Sequence, residues 1–346
     1  MIKRKLAIAM VAPIFGDTGG PEIVTQNLTD ALIKKGVDVT LFAPGDWKTK
    51  AKHITTLPES LWNMEDFSLQ TEKVRRNILI SSQLKVLFSK KHFDIIHLHS
   101  QTYAYCVGDN STTPCVLSCH NKINAPEFDQ VKDAGIYTVS LSKSQKGNFK
   151  TDATIWNGMI IDKKKFSAKH EGYLIAIGRL TDQKGIDTAI QIALKADKKL
   201  LIFGRIGNSV KRQLYYKEKI QPFLNKNIIH MGEVSHEKLL GYIRDAEALL
   251  FPIRRSEVCP LVIQEALASG TPVIGTKISP LPELLKDPAV SFLSDDMDKL
   301  VEAVKNTFIF DRNKCYDYAE KFFNSSRMAD QYIQLYEKIL LKKRID

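Results

Sequence analysis

The sequence predicts an α/β protein of two doubly wound domains followed by one long helix. Three observations carry this reading. At 346 residues the chain is too long for one ordinary core, and two domains of about 150–180 residues are the natural partition. Short apolar runs alternate with helical patterns twice over, the signature of parallel sheets wound with helices. Each half also opens with a strand that runs into a glycine-bearing turn and then a helix.

In the first half, strands are predicted at Leu6–Val11, Val37–Phe42, Ile95–Leu98, Cys115–Ser118, Ile136–Ser140 and Thr154–Trp156. A helix is predicted over Pro21–Lys35, with Val24, Leu28, Ala31 and Leu32 on one face, proline at its start and Gly36 past its end. The second half offers strands at Tyr173–Ile177, Lys199–Phe203, Ile228–Met231, Ala248–Phe251, Pro272–Gly275 and Val290–Leu293. Asn157–Gly172, with its Asn-Gly turn and Lys163-Lys164-Lys165 run, reads as the link. From Ser325, the stripe Met328, Tyr332, Leu335, Tyr336 and Ile339 predicts one long helix running to a Lys-Lys-Arg end, with a face that must be covered. The expected domains are therefore residues 1–160, 161–324 and the closing helix 325–346.

Composition excludes several classes. The chain is 44% apolar and 26% charged, without a run of about 18 apolar residues that could span a bilayer. Lys3-Arg4-Lys5 followed by Leu6–Ala12 mimics a secretory signal, but seven apolar residues leading into a glycine-rich loop and helix read as a first buried strand. Five cysteines without a compact framework favour a reduced, cytoplasmic protein. Cys115, Cys119 and His120 lack a second ligand pair, and Asp296-Met297-Asp298 lies where acids cap a helix, so no metal is expected at either. The net charge is +11. Lys73, Arg75, Arg76, Lys85, Lys90 and Lys91 interleave with apolar residues, which fits a solvated helix face or a peripheral dock on anionic membrane at its inner side. No nucleic-acid-binding module accompanies the charge.

The most informative stretch runs from Phe251 to Gly270. It sets Glu257 just before an apolar helix and Glu265 a full turn inside it, after a predicted strand. That strand-to-helix turn is where ligands sit in a parallel sheet, and the free N–H groups of the helix start, those of Leu261 and Val262, suit a phosphate. Glu265, among Ile263, Ala266 and Leu267, needs partners, and ribose hydroxyls are good ones. Gly178-Arg179…Lys184-Gly185 places two cations at another strand end, a frame that suits a diphosphate. Gly16-Asp-Thr-Gly19-Gly20 permits positive φ and close backbone approach, yet it is not a nicotinamide fingerprint. His120 lies beyond the carboxyl end of its strand and reads as a hydrogen-bonding group toward a sugar, whereas His97, inside an apolar run, reads as structural.

These motifs resemble the retaining glycosyltransferases of group 1 (family 4). Gly19-Gly20-x-Glu22, Asp94-Ile-Ile-His-Leu-His99, Ser118-Cys-His120, Val139-Ser-x-Ser142, Trp156-Asn-Gly158, Gly178-Arg179…Lys184-Gly185, Glu257…Glu265 and Gly270-Thr-Pro-Val-Ile-Gly275 follow the family's order over nearly the whole chain. The resemblance implies a GT-B architecture: two Rossmann-like domains facing a cleft, with the last helix crossing back to the first domain. It further implies a nucleoside diphosphate sugar, UDP-sugar favoured, as donor, and transfer of a hexosyl unit with retention to a glycan or lipid-linked acceptor in polysaccharide biosynthesis. The matches of Arg179 and Lys184 stabilise the diphosphate in such enzymes. Those of Glu265 and Glu257 bind ribose and sugar hydroxyls, that of His120 the sugar, and Gly19-Gly20 lies against the phosphate and acceptor. The family generally needs neither metal nor cofactor. Cys259-Pro260 replaces the Phe-Gly pair of many relatives, which leaves the pocket wall near the sugar open. Two alternatives remain at this stage, a nucleotide-sugar epimerase of the same architecture and a non-catalytic donor-binding subunit of another transferase.

Overall fold

The computed structural model describes residues 5–16, 19–64 and 70–343. Lys3 and Arg4 of the basic start, Asp17 and Thr18 of the glycine loop, and Arg344 of the tail lie outside them. The chain forms two compact units, one joining residues 1–160 and 324–346, the other spanning 161–323.

The first unit holds a seven-stranded sheet: β1 (Ala7–Val11), β2 (Asp38–Ala43), β3 (Lys52–Thr55), β4 (Ile95–Leu98), β5 (Cys115–Cys119), β6 (Tyr137–Ser140) and β7 (Ala153–Thr154). Their spatial order is β3-β2-β1-β4-β5-β6-β7, and every pairing is parallel. Both faces are covered, so β1, β4 and β5 are buried along their whole length, which is why they read as unbroken apolar runs. The second unit holds β8 (Tyr173–Ile177), β9 (Lys199–Phe203), β10 (Ile228–Gly232), β11 (Ala248–Phe251), β12 (Val273–Gly275) and β13 (Ser291–Leu293). Its order is β10-β9-β8-β11-β12-β13, again parallel throughout. The order reverses between β1 and β4 in one sheet and between β8 and β11 in the other, the crevices where doubly wound sheets bind ligands.

Two strands depart from expectation. β3 was not predicted; at a sheet edge, its Lys52 and Thr55 are exposed and its His53 and Ile54 half-buried, so it carries no apolar pattern. β7 is Ala153–Thr154 rather than Thr154–Trp156, because the chain there pairs with only one neighbour and leaves the sheet early.

The closing helix Ser325–Lys342 belongs to the first unit. Asn324 caps it by accepting the Ser326 N–H at 2.8 Å. Its stripe Met328, Tyr332, Leu335, Tyr336 and Ile339 is buried against the helix Gly20–Lys34 and the sheet, each side chain contributing up to about 1.5–3 kcal/mol. Gly158 makes the join possible: a Cβ there would lie 2.9 Å from the Ser325 Cα.

The basic segment forms the helix Glu72–Leu84 and a short 3-10 turn over Lys85–Phe88. Among the described residues, two of its six cations are engaged. Lys91 pairs with Asp38 at 3.0 Å and donates to Thr40, and Lys85 donates to the Thr55 carbonyl at 3.2 Å. Phe88 stands fully outward, 82% exposed. No helix among the described residues is long and apolar enough to cross a membrane.

Candidate functional site

In the second unit, β8 ends at Gly178 and the chain turns through Arg179 and a 3-10 turn (Asp182–Lys184) into the helix Ile186–Lys195. Gly185 is required here twice over: its φ is +64°, and an added Cβ would meet the Pro252 carbonyl at 1.9 Å. Lys184 is thereby brought under the end of β11. Its Nζ lies 2.8 Å from Glu257 Oε1 and 5.5 Å from the centre of the Phe251 ring. The two sequence-predicted groups Lys184 and Glu257, 15% and 26% exposed, are therefore brought together as an ion pair.

Arg179 is exposed and has no acid partner among the described residues. It borders a hollow of about 720 Å³ that Lys211, Arg212 and Arg255 also line. Of the acids there, Asp182 is held by Arg254, at 2.8 Å. Arg254 also grips Asp187 at 2.7 Å and Thr188 at 2.7 Å, tying the end of β11 to the turn that carries Lys184. Sequence reading missed it, since an arginine two residues from Ser256 carries no signal of a contact some 70 residues away.

The helix Leu261–Ala268 begins at Pro260 with no side-chain cap, so the N–H groups of Leu261 and Val262 stay open at its positive end. Pro260 has no N–H to lose there. Glu265, 8% exposed, accepts from His236 Nε2 at 2.8 Å. His236 opens the helix His236–Asp245 behind the cap Ser235, and sequence reading did not single it out. The Glu265 carboxylate raises the His236 pKa above its ordinary value, against burial and Lys165.

In the first unit His120 follows β5, and its Nε2 lies 2.9 Å from His99 Nδ1, the rings stacked at 26°. Behind them His97 bonds Tyr336 through Nδ1 at 2.6 Å and Ser118 through Nε2 at 2.8 Å, and Ser118 meets Tyr332 at 2.6 Å. The closing helix thus supplies two hydroxyls that satisfy a buried imidazole, in line with a structural role for His97. Burial lowers the His97 pKa to about 3 and pushes those of His99 and His120 down as well. His97 and His99, 0% and 2% exposed, stay neutral when folded but take up protons below about pH 6.5 when unfolded. Their contribution is present above pH 6.5 and lost as pH falls, by up to about 1.4 kcal/mol per pH unit for each ring. The urea midpoint is expected to drop between pH 7.5 and 5.0. A flat midpoint would contradict buried neutral imidazoles.

Gly19 and Gly20 do not adopt the positive φ that the glycine-rich loop permits. Gly19 has φ −72° at the start of the helix Gly20–Lys34, and Gly20 lies within it, so neither uses the left-handed region. What Gly19 gives is space: an added Cβ would sit 2.1 Å from the carboxylate of Glu22, which is buried at the helix start. Asp296 caps the helix Met297–Lys305 by accepting the Asp298 and Lys299 N–H groups.

The family described as Glycosyltransferase Family 4 matches residues 18–147, and that described as Glycosyl transferases group 1 matches residues 159–322. Together they span both units in order. The chain belongs to the group 1 glycosyltransferases. A Klebsiella pneumoniae protein of the cps region is 31% identical over 170 residues, covering 47% of this chain and 46% of that protein. A Methanocaldococcus jannaschii glycosyltransferase is 25% identical over 253 residues, covering 64% and 68%. Among solved structures, sucrose-phosphate synthase from Thermosynechococcus elongatus superposes with a TM-score of 0.74 at 18% identity, over 98% and 100% of the two chains. An Anabaena protein, HepE, solved with UDP and glucose, superposes with 0.71 at 16% identity, over 96% and 100%. The fold of this glycosyltransferase is thus GT-B, with two Rossmann-like domains.

Proposed function

We propose that this glycosyltransferase moves a hexosyl unit from a nucleoside diphosphate sugar, UDP-sugar favoured, to a glycan or lipid-linked acceptor, with retention of anomeric configuration. The observation that carries the donor assignment is the Lys184–Glu257 pair under an uncapped helix start, beside the exposed Arg179, at the switch point of the second sheet. Arg179, Lys184 and the amides of Leu261 and Val262 would hold the diphosphate. Glu265 would take the ribose hydroxyls and Glu257 the sugar hydroxyls. His120, on the first unit, is assigned a hydrogen bond to the transferred sugar, and Gly19-Gly20 a place against phosphate and acceptor.

In the reaction the acceptor oxygen forms a bond to the anomeric carbon on the face from which the diphosphate departs. The anomeric C–O bond breaks through an oxocarbenium-like state, and the leaving diphosphate takes the acceptor's proton. Two cations and a helix end supply the charge neutralisation, which supports a reaction without metal or cofactor. The UDP of the Anabaena structure supports the base, and the cps setting of the Klebsiella protein supports polysaccharide assembly. Lys73, Arg75, Arg76 and Lys90, less so the engaged Lys85 and Lys91, remain the proposed peripheral contact with anionic membrane, on the cytoplasmic side.

A thermal-shift screen of UDP-, GDP- and ADP-sugars tests the reading, because donor binding raises apparent stability by mass action. A UDP-sugar should give the largest shift, unchanged by EDTA, and the product anomer should match the donor's. No shift with any nucleotide sugar would remove the donor assignment.

A further inference from the structure

Glu265 is nearly buried on a helix whose neighbouring side chains Ile263, Ala266 and Leu267 are apolar. A polar group in such a place needs a hydrogen-bond partner to hold it. Its one partner among the described residues is His236, which reaches it from a different helix, 29 positions back. We propose that His236 is a positioning residue of the donor site: it fixes Glu265 in the orientation in which its carboxylate accepts from the ribose diol, and so sets the preference for ribonucleotides. This rests on the ribose role of Glu265 in the function proposed above.

Three features support it. The bond engages only Oε1, leaving Oε2 and its two lone-pair directions for two vicinal hydroxyls. The hydrogen bond to Glu265 raises the His236 pKa although burial and Lys165 both oppose a cation there. The carboxylate therefore outweighs both, and the pair is charge-assisted. Finally, the imidazole is 49% exposed while the carboxylate is 10% exposed, so the histidine can stay in place as the ligand enters.

The test compares dissociation constants of UDP, GDP and ADP with those of their 2′-deoxy counterparts for the full-length protein. The wild-type chain should prefer the ribonucleotide of whichever base binds. His236→Phe should lower that preference about tenfold, the loss of roughly one charge-assisted hydrogen bond. His236→Gln, which still donates to the carboxylate, should restore most of it. A merely structural histidine would leave the ribose preference unchanged, and that outcome with His236→Phe overturns the proposal. Glu265→Ala separates the two levels. If it abolishes the preference while His236→Phe does not, only the positioning role falls; if it leaves the preference intact, the ribose reading falls and the inference with it. Should His236→Phe fold poorly, His236→Asn, too short to reach Oε1, gives the same comparison.

Discussion

Lys184→Ala is expected to lower kcat about 10²–10³-fold, the loss that follows removal of one preorganised donor from a developing anion. The lysine is unusually well placed for its type. A flexible four-carbon stem is held at both ends, by Gly185 packed on the Pro252 carbonyl and by Glu257 and the Phe251 ring around its ammonium. Its position is thus set before the donor arrives, which spares the reaction the cost of ordering it. The same pair predicts what happens on binding: a diphosphate draws the ammonium, and Glu257 is released toward the sugar hydroxyls. Glu257, 26% exposed, can be hydrated when Lys184 is gone, so the variant should fold. Steady-state kinetics of the purified variant decide the matter, and an unchanged kcat would sink the assignment of Lys184.

Arg312→Ala is expected to destabilise the second unit by about 3–5 kcal/mol, the range for removing one partner from a buried charged network. Arg312 is 8% exposed and has no carboxylate partner among the described residues. Its guanidinium instead donates to the carbonyls of Ser167 at 2.9 Å, Ala246 at 2.7 Å and Arg244 at 2.5 Å, and to Thr271 at 3.3 Å. Burial pushes its pKa below the ordinary arginine value, and its hydrogen bonds all go to carbonyls and a hydroxyl among the described residues. Alanine leaves three carbonyls unpaired where water has little access. A urea titration should show a midpoint shift of that size at unchanged slope, with Lys recovering only part of it. A shift below about 1 kcal/mol would show that water replaces the guanidinium.

Much of the fold was legible because doubly wound sheets bury their strands on both faces, and so print them as apolar runs. β1, β4, β5, β8, β9 and β11 could be read directly. β3 could not, since an edge strand with Lys52 and His53 needs no such pattern. Motifs within one strand-to-helix turn were equally visible, among them Arg179, Lys184, Glu257 and Glu265. What escaped were partners brought from far along the chain. Nothing local in Ser235-His236 announces Glu265, nor does Arg254 announce Asp182 and Asp187. The glycines misled in the other direction. Gly19 and Gly20 suggested unusual dihedrals, whereas Gly19 makes room for the Glu22 side chain.

The closing helix has a consequence for how the chain is born. Residues 161–323 form their unit without help from any later segment, and can fold as they leave the ribosome. The first unit, although made earlier, must wait. His97 and Ser118 lack their hydroxyl partners, and the helix Gly20–Lys34 lacks its cover, until Tyr332 and Tyr336 have been translated. The half of the molecule that emerges first is thus the half completed last.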